Sequence, residues 1–115
     1  MNWIPLTSEA QLQEIINATE QPAIIFKHST RCSISATALS RLERGWKDDE
    51  MASVKAYYLD LLSYRPVSNQ IESKFGVTHQ SPQLLLIRNG KCVYNSSHFD
   101  ITYPTLREQI QKILV

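Results

Sequence analysis

The sequence predicts an α/β fold in which a mixed sheet is held between layers of helices, and three observations carry that prediction. Continuous apolar runs such as Ala23–His28 alternate with segments whose apolar residues recur at helical spacing. A late Asn89-Gly90 pair stands between two strand-like runs, the strongest short-range sign of a tight antiparallel hairpin. The chain has 115 residues, 43% of them apolar, which suits one self-sufficient core.

Each element follows from local signals. Trp3 and Ile4 form a short extended piece stopped by Pro5. Thr7 or Ser8 then caps a helix with Leu12, Ile15 and Ile16 as its apolar stripe. The run Ala23–His28 reads as a central strand covered on both faces. After Cys32 the spacing of Leu39, Leu42 and Trp46 predicts a helix that lasts until the charged Lys47–Glu50. Val54–Asp60 is the next buried strand. Val67, Ile71 and Phe75 mark the following helix, with Gly76 as its C-terminal cap. The runs around Asn89-Gly90 supply two antiparallel strands. Pro104, Leu106, Ile110, Ile113 and Leu114 define a closing helix.

The resulting order is β-α-β-α-β-α-β-β-α, without repeats or linkers, so one domain is expected over residues 1–115. Alternation in the first part implies parallel strands joined by right-handed crossovers, with the hairpin adding antiparallel strands at one side. With a thiol at a helix start directly after a central strand, this is the layout of a thioredoxin-like three-layer sandwich. In open α/β sheets active sites lie beyond the carboxyl ends of the strands, and Cys32 falls there.

Composition excludes several function classes. Twelve Lys and Arg nearly balance eleven Asp and Glu, giving a formal charge of +1. No overall field would draw the chain to nucleic acid or an anionic membrane, and the basic residues form no stripe. The N-terminal residues lack a secretory pattern and no apolar run is long enough to span a bilayer, so a cytoplasmic setting is expected. The two cysteines form no C-x-x-C pair, and His28, His79 and His98 match no zinc spacing, so no metal is expected.

The chemistry centres on Lys27–Leu39, K-H-S-T-R-C-S-I-S-A-T-A-L. A thiolate is the nucleophilic form of cysteine, and a helix N-terminus with neighbouring cations favours it. Cys32 has Arg31 beside it and Lys27 and His28 at the end of the preceding strand. Ser35 occupies the position one helical turn on, where its hydroxyl is expected to donate to the thiolate but can form no S–S bond. The site is therefore monothiol. Ser29 and Ser33 read as structural. In T-H-Q-S-P-Q, Thr78–Gln83, Pro82 precedes an apolar strand. A cis bond there would expose the Ser81 backbone beside the thiol for pairing with a substrate. Cys92, in a strand beside the hairpin, reads as inert packing.

The run F-K-H-S-T-R-C-S-I-S-A-T-A-L, the later H-Q-S-P-Q and the tail S-H-F-D-I-T resemble the monothiol bacilliredoxins, the YtxJ-like family of bacillithiol-system redox proteins, over nearly the whole chain. The resemblance implies a bacterial thiol-disulfide oxidoreductase that removes bacillithiol from protein mixed disulfides. Cys32 would map to the attacking cysteine and Pro82 to the cis-proline. It implies bacillithiolated client proteins as partners and no cofactor beyond bacillithiol as co-substrate. Bacillithiol or a reductase would regenerate Cys32. On this reading Lys27, Arg31 and His28 hold the carboxylates of the bacillithiol malate group. The family usually has proline directly after the cysteine. Ser33 stands there instead, which bears on redox tuning because proline pre-sets the first helical residue. Two other readings stay open: a glutathione-dependent monothiol glutaredoxin-like protein, whose C-G-F-S signature is missing, and a thioredoxin-fold adaptor without turnover.

Overall fold

The computed structural model describes residues 1–18 and 20–114. Its elements follow the expected order: β1 (Ile4–Pro5), α1 (Glu9–Asn17), β2 (Ala23–His28), α2 (Ser33–Gly45), β3 (Lys55–Asp60), α3 (Arg65–Phe75), β4 (Gln83–Arg88), β5 (Lys91–Ser97) and α4 (Tyr103–Leu114). The five strands lie in the order β1-β3-β2-β4-β5. β1 and β2 run parallel to β3, whereas β4 is antiparallel to β2 and β5 to β4.

Alternation along the central strands divides the core in two. Ile24, Phe26, Leu84 and Leu86 meet Ala38 and Leu42 of α2 and Leu106 and Ile110 of α4. Ile25, Leu59, Leu85 and Ile87 meet Leu12 and Ile15 of α1 and Val67 and Ile71 of α3. Helices thus cover both faces, the three-layer sandwich expected.

Local chemistry sets most boundaries. The Ser8 side chain accepts the Gln11 N–H at 3.2 Å, and the Gln11 side chain accepts the Thr7 N–H at 3.0 Å, a reciprocal cap that starts α1. Gly76 closes α3 in the left-handed region, φ 65°, with its N–H donating to Glu72 O at 3.0 Å. Asn89 and Gly90 both have positive φ, 54° and 73°, as a type I′ turn requires.

Four features differ from the sequence expectation. α2 ends at Gly45, because Trp46 leaves the helix with extended backbone, ψ 132°; Gly45 is also where α4 comes close, since a Cβ there would meet Tyr103 Cβ at 2.8 Å. Leu114, expected in the apolar stripe, is 47% exposed at the end of α4. A register shift opposite Leu86/Ile87 interrupts β5 between Cys92 and Tyr94 and turns Val93 outward. A 3-10 turn over His98–Asp100, with His98 at φ 54°, joins β5 to α4. Among the described residues no helix is long and apolar enough to cross a membrane.

Candidate active site

Cys32 is the N-cap residue of α2, its backbone extended at φ −109°, ψ 120°. Its N–H donates to Ser29 O at 3.1 Å, closing a tight turn after β2, and its carbonyl accepts the Ala36 N–H at 3.1 Å. The helix starts at Ser33 without a proline, and no side chain caps it. First-turn amides therefore keep their capacity for a negative charge at the half-buried thiol. Arg31 is exposed beside it.

Ser35 takes a different place from the one expected. It is fully buried, its Oγ 2.6 Å from His28 Nδ1, and it accepts the Ser29 N–H at 3.1 Å. A hydroxyl has one proton and two lone pairs. Its partners are the Ser29 amide and His28, and among the described residues no hydrogen bond joins it to the Cys32 sulfur. Its observed work is to fasten the Ser29–Cys32 turn to the end of β2.

Lys27 and His28, expected to reach a ligand's carboxylates, are instead 0% and 6% exposed. The physical reason is the two-residue alternation of a strand buried on both faces: His28 turns into the α2 layer and Lys27 into the opposite one. His28 packs with Tyr58, ring centroids 5.5 Å apart, and burial holds its imidazole below the ordinary range against the pull of Asp60 and Glu43. Lys27 Nζ lies 2.7 Å from His79 Nδ1. Burial pushes the lysine down to about 8, with Glu72 opposing and Arg65 assisting. Burial, Lys27 and Arg65 also push His79 down, against Glu72, whose carboxylate accepts the His79 N–H.

The Ser81–Pro82 bond is cis, as the motif suggested. Lys27 pairs with Gln83 across the sheet, so Pro82 lies at the carboxyl end of β2, the end from which Cys32 follows. Gln83 braces this loop: its Nε2 donates to Thr78 O at 3.0 Å and its Oε1 accepts the Gln80 N–H at 3.4 Å. The His98 N–H donates to Pro82 O at 3.2 Å, bringing the 3-10 turn to the same end.

Sequence reasoning passed over Arg41, His98 and Phe99 as site residues. Arg41 sits two turns along α2 and donates through Nε to Ile101 O at 2.9 Å and through Nη2 to His98 O at 3.1 Å. These residues help line a groove of about 110 Å³ that begins at Ser33. The signal available was the spacing Ser33, Thr37, Arg41, which puts all three on one helix face.

Cys92 is remote. Ala23 pairs with Ile87 and Ile87 with Cys92, so Cys92 is level with the start of β2 while Cys32 follows its end. At ~3.3 Å per residue those levels are roughly 16 Å apart, far beyond disulfide reach. Its sulfur bonds Tyr94 O at 3.3 Å, and burial pushes its thiol up. Among the described residues no cluster of three or more His, Cys, Asp or Glu is placed to hold a metal ion.

Comparison with known proteins agrees with this architecture. The family described as Monothiol bacilliredoxin BrxC matches residues 4–106. A solved structure described as a candidate oxidoreductase with a thioredoxin fold is similar at 31% identity and a TM-score of 0.76, over 91% of this chain and 90% of that one. Thioredoxin from Trypanosoma brucei brucei matches at 16% identity and a TM-score of 0.77, over 98% of this chain and 91% of that one. Fasciola hepatica thioredoxin matches at 20% and 0.71, over 94% and 96%. The two thioredoxins establish likeness of fold.

Proposed function

The chain belongs to the monothiol bacilliredoxin family of thioredoxin-fold redox proteins, and from that premise we propose that it removes bacillithiol from protein mixed disulfides. The observation that carries the reading is a single half-buried thiol at the α2 N-cap, with a serine fastened one turn on and the second cysteine at the far end of the sheet. No second thiol of the same chain can reach the site, so any disulfide formed at Cys32 must await a thiol from outside.

The reaction balances as two exchanges. Cys32 thiolate attacks the bacillithiol sulfur of the client's mixed disulfide. The client–sulfur bond breaks, the client leaves as a thiolate that takes up a proton, and Cys32 holds the bacillithiol. A second thiolate, from free bacillithiol or a reductase, then attacks the bacillithiol sulfur and releases Cys32. Uncapped amides of α2 and Arg31 offset the negative charge at Cys32 before attack and after release. The Ser81 backbone beside cis-Pro82 offers an edge on which an extended client segment can pair. The thiol reductants invoked belong to a reducing, cytoplasmic setting.

Intact-mass analysis tests this. Incubated with a bacillithiolated client, the wild-type chain should gain one bacillithiol as the client loses its own, and stop there until fresh thiol is added. Faster uptake from a glutathionylated client would favour a glutaredoxin-like protein. Transfer from neither would leave an adaptor.

A further inference from the structure

Monothiol chemistry imposes a requirement that the catalytic turn alone does not meet. Once the client has left, the small thiol stays bonded to Cys32 until a second thiol arrives, so the protein surface next to Cys32 must seat it. One groove starts there. Ser33, Ile34, Thr37 and Arg41 form its wall on α2, and His98 and Phe99 form the other wall on the 3-10 turn. Its volume of about 110 Å³ is below the ~300–1,000 Å³ of a whole small-molecule site, which suits an open groove that takes one arm of a small thiol rather than enclosing it. Phe99 is 78% exposed and Ile34 48%, so the rim is apolar and open.

The groove holds one strong charge. Arg41 spends an N–H on each of two main-chain carbonyls, Ile101 O and His98 O, which fix the guanidinium against the 3-10 turn. A guanidinium has five N–H groups, so further donors remain. Among the described residues no carboxylate lies within ion-pairing distance of it. Arg41 is nine residues after Cys32, about 13 Å along the helix axis at 1.5 Å per residue. Helical side chains lean toward the N-terminus, which shortens the reach. A small thiol the length of an extended tripeptide, ~10 Å, would span that distance.

We infer that this groove seats the small-thiol part of the mixed disulfide, and that Arg41 anchors a carboxylate on it. The occupant is thus a low-molecular-weight thiol bearing at least one carboxylate. A guanidinium already pinned by two carbonyls presents its remaining donors with little entropy to lose, and its planar fork matches a carboxylate. Lys27 and His28 are buried and the exposed Arg31 does not line the groove, so within it the anchoring role falls to Arg41. The inference rests on the mixed-disulfide reading of Cys32, and the test separates the two.

Single-turnover transfer to Cys32 would be followed by mass from one client protein blocked in turn with bacillithiol, glutathione and β-mercaptoethanol, the last carrying no carboxylate. Arg41→Gln should slow transfer of the carboxylate-bearing adduct about tenfold, through a weaker half-saturating concentration, and leave the β-mercaptoethanol rate within about twofold. Arg41→Lys should recover part of the loss. Thr37→Glu, which places a carboxylate on the same wall with Arg41 intact, should slow the charged adduct and spare the neutral one. Equal slowing of all adducts by Arg41→Gln, or no effect of either Arg41→Gln or Thr37→Glu, overturns the anchor while leaving bacillithiol transfer standing. Arg41-dependent transfer from glutathione but not bacillithiol keeps the anchor and overturns the bacillithiol reading. Transfer from none of the three overturns both.

Discussion

The two ends of the sheet are built from different chemistry, and each holds one cysteine. At the carboxyl end of β2 lie Lys27, His28, Ser35, Gln83 and Ser96, five of the six buried polar residues of the described chain. At the hairpin end, the residues level with Ala23 are Ile87 and Cys92, packed in an apolar cluster. Burying polar groups costs free energy unless they are satisfied, so gathering them at one end marks where geometry is being fixed for a purpose other than stability. Cys32 shares that end with the cis-proline and the groove. Cys92 has the same side chain in surroundings that keep it a thiol.

The largest contrast should come from removing each sulfur. Cys32→Ser should abolish adduct transfer in the intact-mass assay, and Cys92→Ser should match the wild type. In the native protein iodoacetamide should label Cys32 first. Cys92 should label only in denaturant or at strongly alkaline pH, because burial raises its thiol above the ordinary range. Labelling of both at one rate would erase the contrast.

Breaking the polar end should cost stability as well. Ser35→Ala leaves the Ser29 N–H and His28 Nδ1 without their partner in the interior, a loss of about 1–3 kcal/mol in urea unfolding. Exposed Ser33→Ala should stay within about 0.5 kcal/mol. Equal midpoints for the two variants would mean that Ser35 does not fasten the turn.

The charge state of Lys27 gives a pH test with a definite sign. Its folded value, about 8, lies below the ordinary 10.5. Between those values the unfolded chain therefore binds more protons, and this residue's contribution to stability rises with pH. Below about 8 both states are protonated and the contribution is flat. Cys92, Tyr57, Tyr58 and Tyr103 oppose the trend, since their raised values make stability fall as pH climbs past the unfolded thiol and phenol. The difference between wild type and Lys27→Met isolates the lysine. It should move in favour of the wild type from pH 8 to 10, by no more than ~1.4 kcal/mol per unit. A difference that stays constant over that range would mean a lysine with an ordinary titration.

The smallest expected effect is Arg31→Ala. An exposed cation beside the thiol contributes only part of a kilocalorie, so transfer should slow about two- to fivefold with the unfolding midpoint unchanged. An unchanged rate would remove Arg31 from the site.

What the sequence determined by itself was everything set by neighbours in the chain. The Ser8 cap, the Gly76 stop, the Asn89-Gly90 turn and the strand-to-helix junction that carries Cys32 are each written within a few residues, because backbone sterics and capping act over one turn. Together with the alternation of elements these fixed the thioredoxin-like order and put the thiol at its open end. Only the tertiary structure decided what each side chain near Cys32 does. Lys27 and His28 looked like strand-end cations free for a ligand, but β3 and β4 flank β2 and helices close both faces, so both were buried. Ser35 met His28 because the helix crosses back over the strand. Arg41 became a groove residue because the His98–Asp100 turn, sixty positions away by way of Ile101, folds against it. Gly45 mattered because α4 passes within contact of it. Such contacts join segments far apart in the chain. Their specificity lies in packing between layers, which no local pattern of residues encodes.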